Sequence, residues 1–224
     1  MAIDYFVRRL APLAGLLALA GCGGDMNVNY TGDGVPLAEF DYSGAAPTGL
    51  VLTGPDTVTI EDGETFTINV AGSDEAVARM RFARDEGILV IHRADGDGSD
   101  SGTATVSVTL PSIDSMVMAG SGRIEALSVD ADEMEVIITG SGNIVAGGSV
   151  ERLSLNIVGS GDAELERLQA SQVDANIVGS GDAVVSSNGQ VDANFVGSGD
   201  INVIGSARCE ASSVGSGELV CGPA

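Results

Sequence analysis

Lysine and tryptophan do not occur in this chain of 224 residues, histidine occurs once and cysteine three times. Each absence closes a class of function. With Lys and Arg totalling 10 against 32 acidic residues, the formal charge is −22, so nucleic acid and anionic lipid headgroups are repelled and nucleic acid is excluded as a partner. Aromatic residues are 4% of the chain and few lie in its repetitive half, which weakens any stacking platform for sugars. The lone His92 sits at a strand end, where a structural or surface role outweighs catalysis. No nucleophile elbow, phosphate loop or paired-cysteine zinc spacing occurs, so no catalytic residue and no cofactor is expected.

Glycine, in contrast, is abundant and periodic. Gly-Ser-Gly triplets begin at Gly120, Gly140, Gly159, Gly179, Gly197 and Gly215, at intervals of 20, 19, 20, 18 and 18 residues. Units this short cannot bury a hydrophobic face alone and must stack on their neighbours. Within a unit the period is two: Leu153, Leu155 and Ile157 alternate with Ser154 and Asn156, which describes short strands with one face inward. The triplet is then the corner, because glycine takes positive φ and lets successive coils approach closely. The expected fold is all-β, a single parallel β-helix (β-solenoid) with coils of about 18–20 residues and equivalent residues stacked about 4.8 Å apart. Ile138, Ile157, Ile177 and Phe195 form an inward ladder, Asn156, Asn176 and Asn194 an amide ladder, and the triplet serines line the corner.

The N-terminus reads as a sorting signal. Arg8 and Arg9 precede an apolar run, Leu10 to Ala20, too short to span a bilayer, and Leu19-Ala20-Gly21-Cys22 resembles a bacterial lipobox. The resemblance implies a signal peptide over 1–21 and lipid on Cys22; Ala18-Leu19-Ala20 also has the form of an ordinary signal peptidase site. Gly23 after the cysteine points to the outer membrane by the sorting rule of two-membrane bacteria. Loss of Arg8, Arg9 and Asp4 would turn the charge of −22 into −23. Residues 22–36 read as a lipid-anchored tether. Cys209 and Cys221 lie six residues either side of Gly215, both at core positions of the last coil. In an exported protein a disulfide between them is expected, capping an end with no next coil, with two buried free thiols as the alternative.

Residues 37–118 lack the triplet but keep the strand grammar, as in Thr65-Phe-Thr-Ile-Asn-Val70 and Thr103-Ala-Thr-Val-Ser-Val-Thr-Leu110, whereas 119–224 form the regular coils. No linker separates them, so 37–224 is expected to be one domain with early coils less regular than later ones. Ala76 to Arg84 suits either a short helix or a strand. The run Ile60 to Glu75, then Asp85 to Ile91, then Val106-Ser-Val-Thr-Leu-Pro-Ser-Ile113 leading into the first triplet, resembles the auto-transporter adhesin head GIN domain family. The likeness runs from about Leu37 to the C-terminus. It implies an exported, often lipid-anchored bacterial β-solenoid and brings no catalytic residues. One departure is the last repeat, where Ser212 and Ser213 replace the Asn-Ile pair.

The row after the triplets, with Asp162, Asp182 and Asp200 at its centre, is the one candidate for chemistry. Carboxylates stacked about 5 Å apart either draw in a cation such as calcium or form a solvated acidic edge, and the latter is favoured because the period does not suit a calcium roll. The loop from Asp95 to Gly102 fails the EF-hand pattern, since Asp100 stands where the turn glycine belongs. The expectation is therefore a non-enzymatic, exported, lipid-anchored cell-envelope protein, an adhesin or interaction scaffold facing a surface polysaccharide or an envelope protein. The alternative is a calcium-dependent polysaccharide binder or carbohydrate-active enzyme using the acidic ladder.

Overall fold

A computed structural model of the chain describes residues 34–94 and 102–222. Cys22, the signal peptide, most of the expected tether and nearly all of the Asp95–Gly102 loop lie outside the described residues. The described residues form a parallel β-solenoid of about five turns. Its regular part is made of β7 (Ser115–Gly120), β8 (Arg123–Gly140), β9 (Asn143–Gly159), β10 (Asp162–Gly179), β11 (Ala183–Gly197), β12 (Ile201–Ile204), β13 (Arg208–Gly215) and β14 (Leu219–Cys221).

Each long strand covers most of a coil. Along β9, Asn143–Ala146, Gly148–Val150 and Leu153–Gly159 pair in turn with the matching stretches of β8, with a register shift between the first two. Period-two alternation leads into each triplet, and Met118, Ile138, Ile157, Ile177 and Phe195 stack in register and are all buried. The shorter later coils lose their residues at a bend: Leu165 and Gln169 of β10 face the consecutive Val185 and Ser186 of β11. Ser187, stacked on Ala170, is buried there, and its hydroxyl accepts from the N–H of Gly189 at 3.2 Å.

The N-terminal part is stacked out of chain order. A coil made of β1 (Gly49–Gly54) and β2 (Thr57–Asp62) stacks directly under β7 and β8, with Gly54 beside Gly120. The chain then leaves this layer. β3 (Thr67–Ala71), α1 (Asp74–Arg79) and β4 (Met80–Asp85) lead to β5 (Ile88–Arg93) and β6 (Thr105–Leu110), which stack on the far side of β1 and β2. The first coil in sequence is therefore an inner coil in space. β3 and β4 pair antiparallel with β6 and β5, so the solenoid ends in two antiparallel pairs, of which β4–β5 is a hairpin, instead of further parallel coils. Such returns are a known means of closing a sheet edge. The outer edge of β4 is in turn met by Val35, which exchanges backbone hydrogen bonds with Phe82 at 2.9 and 2.8 Å.

Ala76 to Arg84 divides between its two readings. Ser73 caps the helix by accepting from the N–H of Ala76 at 3.2 Å, and from Met80 onward the inward alternation of Met80 and Phe82 makes a strand.

Candidate functional site

The geometry of the triplet corner sets the spacing of every outward row. The first glycine of each triplet has φ between +113° and +135°, a region closed to other L-residues in practice. Its carbonyl accepts from the serine N–H of the next coil, as in Ser180 to Gly159 at 2.9 Å and Ser198 to Gly179 at 2.8 Å. The second glycine is required for space alone. A Cβ on Gly181 would lie 2.2 Å from the Gly161 carbonyl oxygen. Backbone thus packs on backbone along the whole corner, and the side chains either side are held in straight rows.

Three outward rows follow from that register. Asn176 donates its amide to Asn156 at 3.2 Å and Asn194 donates to Asn176 at 3.2 Å, so the amide ladder forms as the sequence implied. The acidic row has a partner that sequence reasoning missed: Asp162 accepts from the backbone N–H of Asp182 at 3.1 Å, Asp182 from Asp200 at 2.9 Å, and Asp200 from Glu218 at 2.8 Å. Each carboxylate therefore caps the coil above it. The earlier coils do this with backbone, the N–H of Asp162 donating to the Gly142 carbonyl at 3.2 Å. Among the described residues, no group of three or more His, Cys, Asp or Glu is arranged to hold a metal ion.

This arrangement gives a prediction. Replacing Asp162, Asp182 and Asp200 together by Asn keeps an Oδ1 acceptor at every position, so the thermal midpoint should change little, whereas the triple Ala variant should lose about 1 kcal/mol per site. Thermal melts followed by circular dichroism check it; equal losses in both variants would deny the capping role.

The third row is apolar. Val158, Val178, Val196 and Val214 stand in register next to the corner, and exposure rises to 46% at Val178, 53% at Val196 and 70% at Val214. Each valine follows an inward isoleucine or, in the coil of Phe195, an inward phenylalanine, except at Val214, which follows Ser213.

Two further clusters anchor the ends. Cys209 and Cys221 are joined by a disulfide with Cα atoms 6.6 Å apart, stacked on Val191 and Val203 respectively. At the other end Asp56 is fully buried and accepts from Arg93 Nε at 2.7 Å, Arg93 Nη2 at 2.5 Å and the N–H of Ala104 at 2.7 Å.

Two acids of the regular coils have displaced pKa values. Glu164 is held below the usual carboxylate range by hydrogen bonds from Asn143 and then Arg123, with Asn143 Nδ2 at 2.7 Å. Glu135 is pushed upward, first by desolvation and then by the charge of Asp114. An acid whose folded pKa is raised costs stability as pH rises from its unfolded pKa through its folded one. Glu135→Gln should therefore raise the thermal midpoint at pH 7 and leave it unchanged well below the ordinary glutamate pKa, as read by melts at both pH values.

The chain matches a family model described as "Putative auto-transporter adhesin, head GIN domain" over residues 46–207. It belongs to that family. Among solved structures, a "putative adhesin" from Bacteroides fragilis superposes with a TM-score of 0.60 at 17% identity, covering 79% of this chain and 92% of that one. A "putative lipid binding protein" from Parabacteroides distasonis gives 0.53 at 19% identity, covering 80% and 94%. At these identities the likeness is one of fold. No curated protein matches the sequence. As a head GIN domain, the chain falls in a family described as adhesin-like.

Proposed function

We propose that this head GIN protein is an exported, lipid-anchored protein of the cell envelope, held in the outer membrane through Cys22, and that its solenoid is a non-enzymatic adhesive or interaction scaffold. The observation that carries this reading is the form of the corners. The triplet corner takes three residues and the remaining bends lie within the long strands, so among the described residues the regular half has outward ladders of amide, valine and carboxylate but no long loops to wall a cleft. In the acidic row Asp162, Asp182 and Asp200 each use one carboxylate oxygen to cap the next coil, a structural role. Family membership supports the same reading, since the family is described as adhesin.

The anchor and the scaffold are tested apart. Replacing Cys22 by Ala should abolish incorporation of labelled palmitate and release the protein from membranes; continued labelling would defeat the anchor. Affinity capture from the native envelope, using the lipidated protein, should retain an envelope protein or a surface polysaccharide. Turnover of envelope glycan by the purified domain would overturn the non-enzymatic reading.

A further inference from the structure

The geometry points to the valine ladder as a docking strip for a basic amphipathic helix of a partner protein, an inference that rests on the scaffold reading and names its surface. Val178, Val196 and Val214 are among the most exposed large apolar side chains of the described residues, at 46%, 53% and 70%. They are one continuous row, since Val158, Val178, Val196 and Val214 pair in parallel register.

Two acidic ladders run parallel to the strip, one on each side, separated from it by the asparagine row and by the triplet corner. Along the same strands, beyond the asparagine ladder, Asp174, Asp192 and Glu210 stack in register. Around the Gly-Ser-Gly corner run Asp182, Asp200 and Glu218. Each Asp of that second row uses Oδ1 to cap the next coil, and no hydrogen bond to Oδ2 is seen at Asp182 or Asp200.

An apolar stripe with carboxylates along both flanks complements one kind of surface, an apolar stripe flanked by cations. Four ladder positions about 4.8 Å apart span about 14 Å. A helix of about ten residues has that length, and an amphipathic one presents an apolar face flanked by its charged positions. Charge decides against the other occupants. A second copy of this face would oppose like-charged ladders, and an anionic membrane surface would be repelled.

The test uses the full chain and a synthetic 14-residue peptide with leucine on one face and arginine on its flanks, beside a charge-reversed leucine and glutamate peptide. Anisotropy titrations at 50 and 300 mM salt give the affinities. The arginine peptide should bind, more weakly at high salt, and the glutamate peptide should not. Val178→Asn with Val196→Asn should weaken binding about tenfold with the salt dependence unchanged. Asp174→Asn with Asp192→Asn should reduce the salt dependence. Both pairs of positions are on the outward face, and melts confirm that the variants fold.

Undiminished binding by the valine variant overturns the strip, because attraction would then be diffuse charge. So does equal binding of the two peptides, or no binding at 50 mM salt. Preferential binding to neutral phosphatidylcholine vesicles that is lost in the valine variant makes the strip a lipid-contacting surface and also overturns the proposal. Envelope capture is measured on the same variants: capture that survives loss of peptide binding leaves the scaffold reading intact and removes only the strip.

Discussion

Gly179→Ala should cost about 3–5 kcal/mol, enough to unfold the regular coils at growth temperature, and the size of the loss follows from two separate penalties. Gly179 has φ +131°, where a Cβ meets the backbone of its own residue. Its Cβ would also lie 2.1 Å from the carbonyl oxygen of Gly159, which is backbone and cannot rotate away. That oxygen is the acceptor for Ser180 N–H at 2.9 Å, so moving it breaks the ladder it belongs to. Gly87→Ala separates the two penalties. Gly87 has φ +86°, but a Cβ there meets nothing within 4 Å, so its cost should be the conformational one alone, about 1–2 kcal/mol. Urea melts of both variants decide the matter. Comparable losses would mean that close approach of coils contributes nothing and that φ alone fixes glycine at the corner.

The effect should also be positional. In a solenoid each coil rests on its neighbours, so a fault at Gly179 strikes two interfaces at once, whereas one at Gly215 strikes the last interface only. Gly215 has nearly the same geometry, with φ +135° and a Cβ 2.0 Å from the Gly197 oxygen. The outcome there should be loss of the final coil with the rest of the domain standing.

What the sequence made legible was whatever recurs. Period-two alternation and the triplets located the inward ladder through Ile157 and Ile177, the amide ladder and the core positions of Cys209 and Cys221, because every coil repeats the same requirement. Asp182 was visible as a row but not as a cap: a carboxylate that accepts the next coil's N–H is indistinguishable in sequence from one that faces water. The out-of-order first coil was harder still. Gly54-Pro55-Asp56 stands where later coils have Gly-Ser-Gly, with Gly54 paired to Gly120 and the carbonyl of Asp56 accepting from Arg123 at 2.9 Å. Proline and aspartate in place of serine and glycine hid the corner, and stacking order is set by long-range pairing that local periodicity does not encode.

That disguised corner carries the second large effect. Asp56→Ala should destabilise the domain by about 3–5 kcal/mol, because it takes the carboxylate from a guanidinium that binds it through two nitrogens and removes the acceptor of the buried Ala104 N–H. Arg93 reaches the carboxylate with two nitrogens, at 2.7 and 2.5 Å, and its side chain is only 14% exposed. The same Oδ1 takes the N–H of Ala104, a residue 1% exposed. These contacts tie β2 to β5 and to the start of β6, the three strands that must assemble out of chain order. Glycine at this position, as in the later coils, leaves that work undone, which explains why this one corner keeps a carboxylate. Asp56→Asn should fall between the extremes, since an amide oxygen still accepts from Ala104 but meets Arg93 without charge. Removing both partners in Asp56→Ala with Arg93→Met should recover part of the loss, because no charge is then left buried. Chemical denaturation of the four proteins as a double-mutant cycle reads the coupling directly. Strict additivity of the two single changes would show that the pair does not hold the inner coil, and the closing of the N-terminal end would have to rest on the apolar packing of Phe82, Leu89 and Ile91 alone.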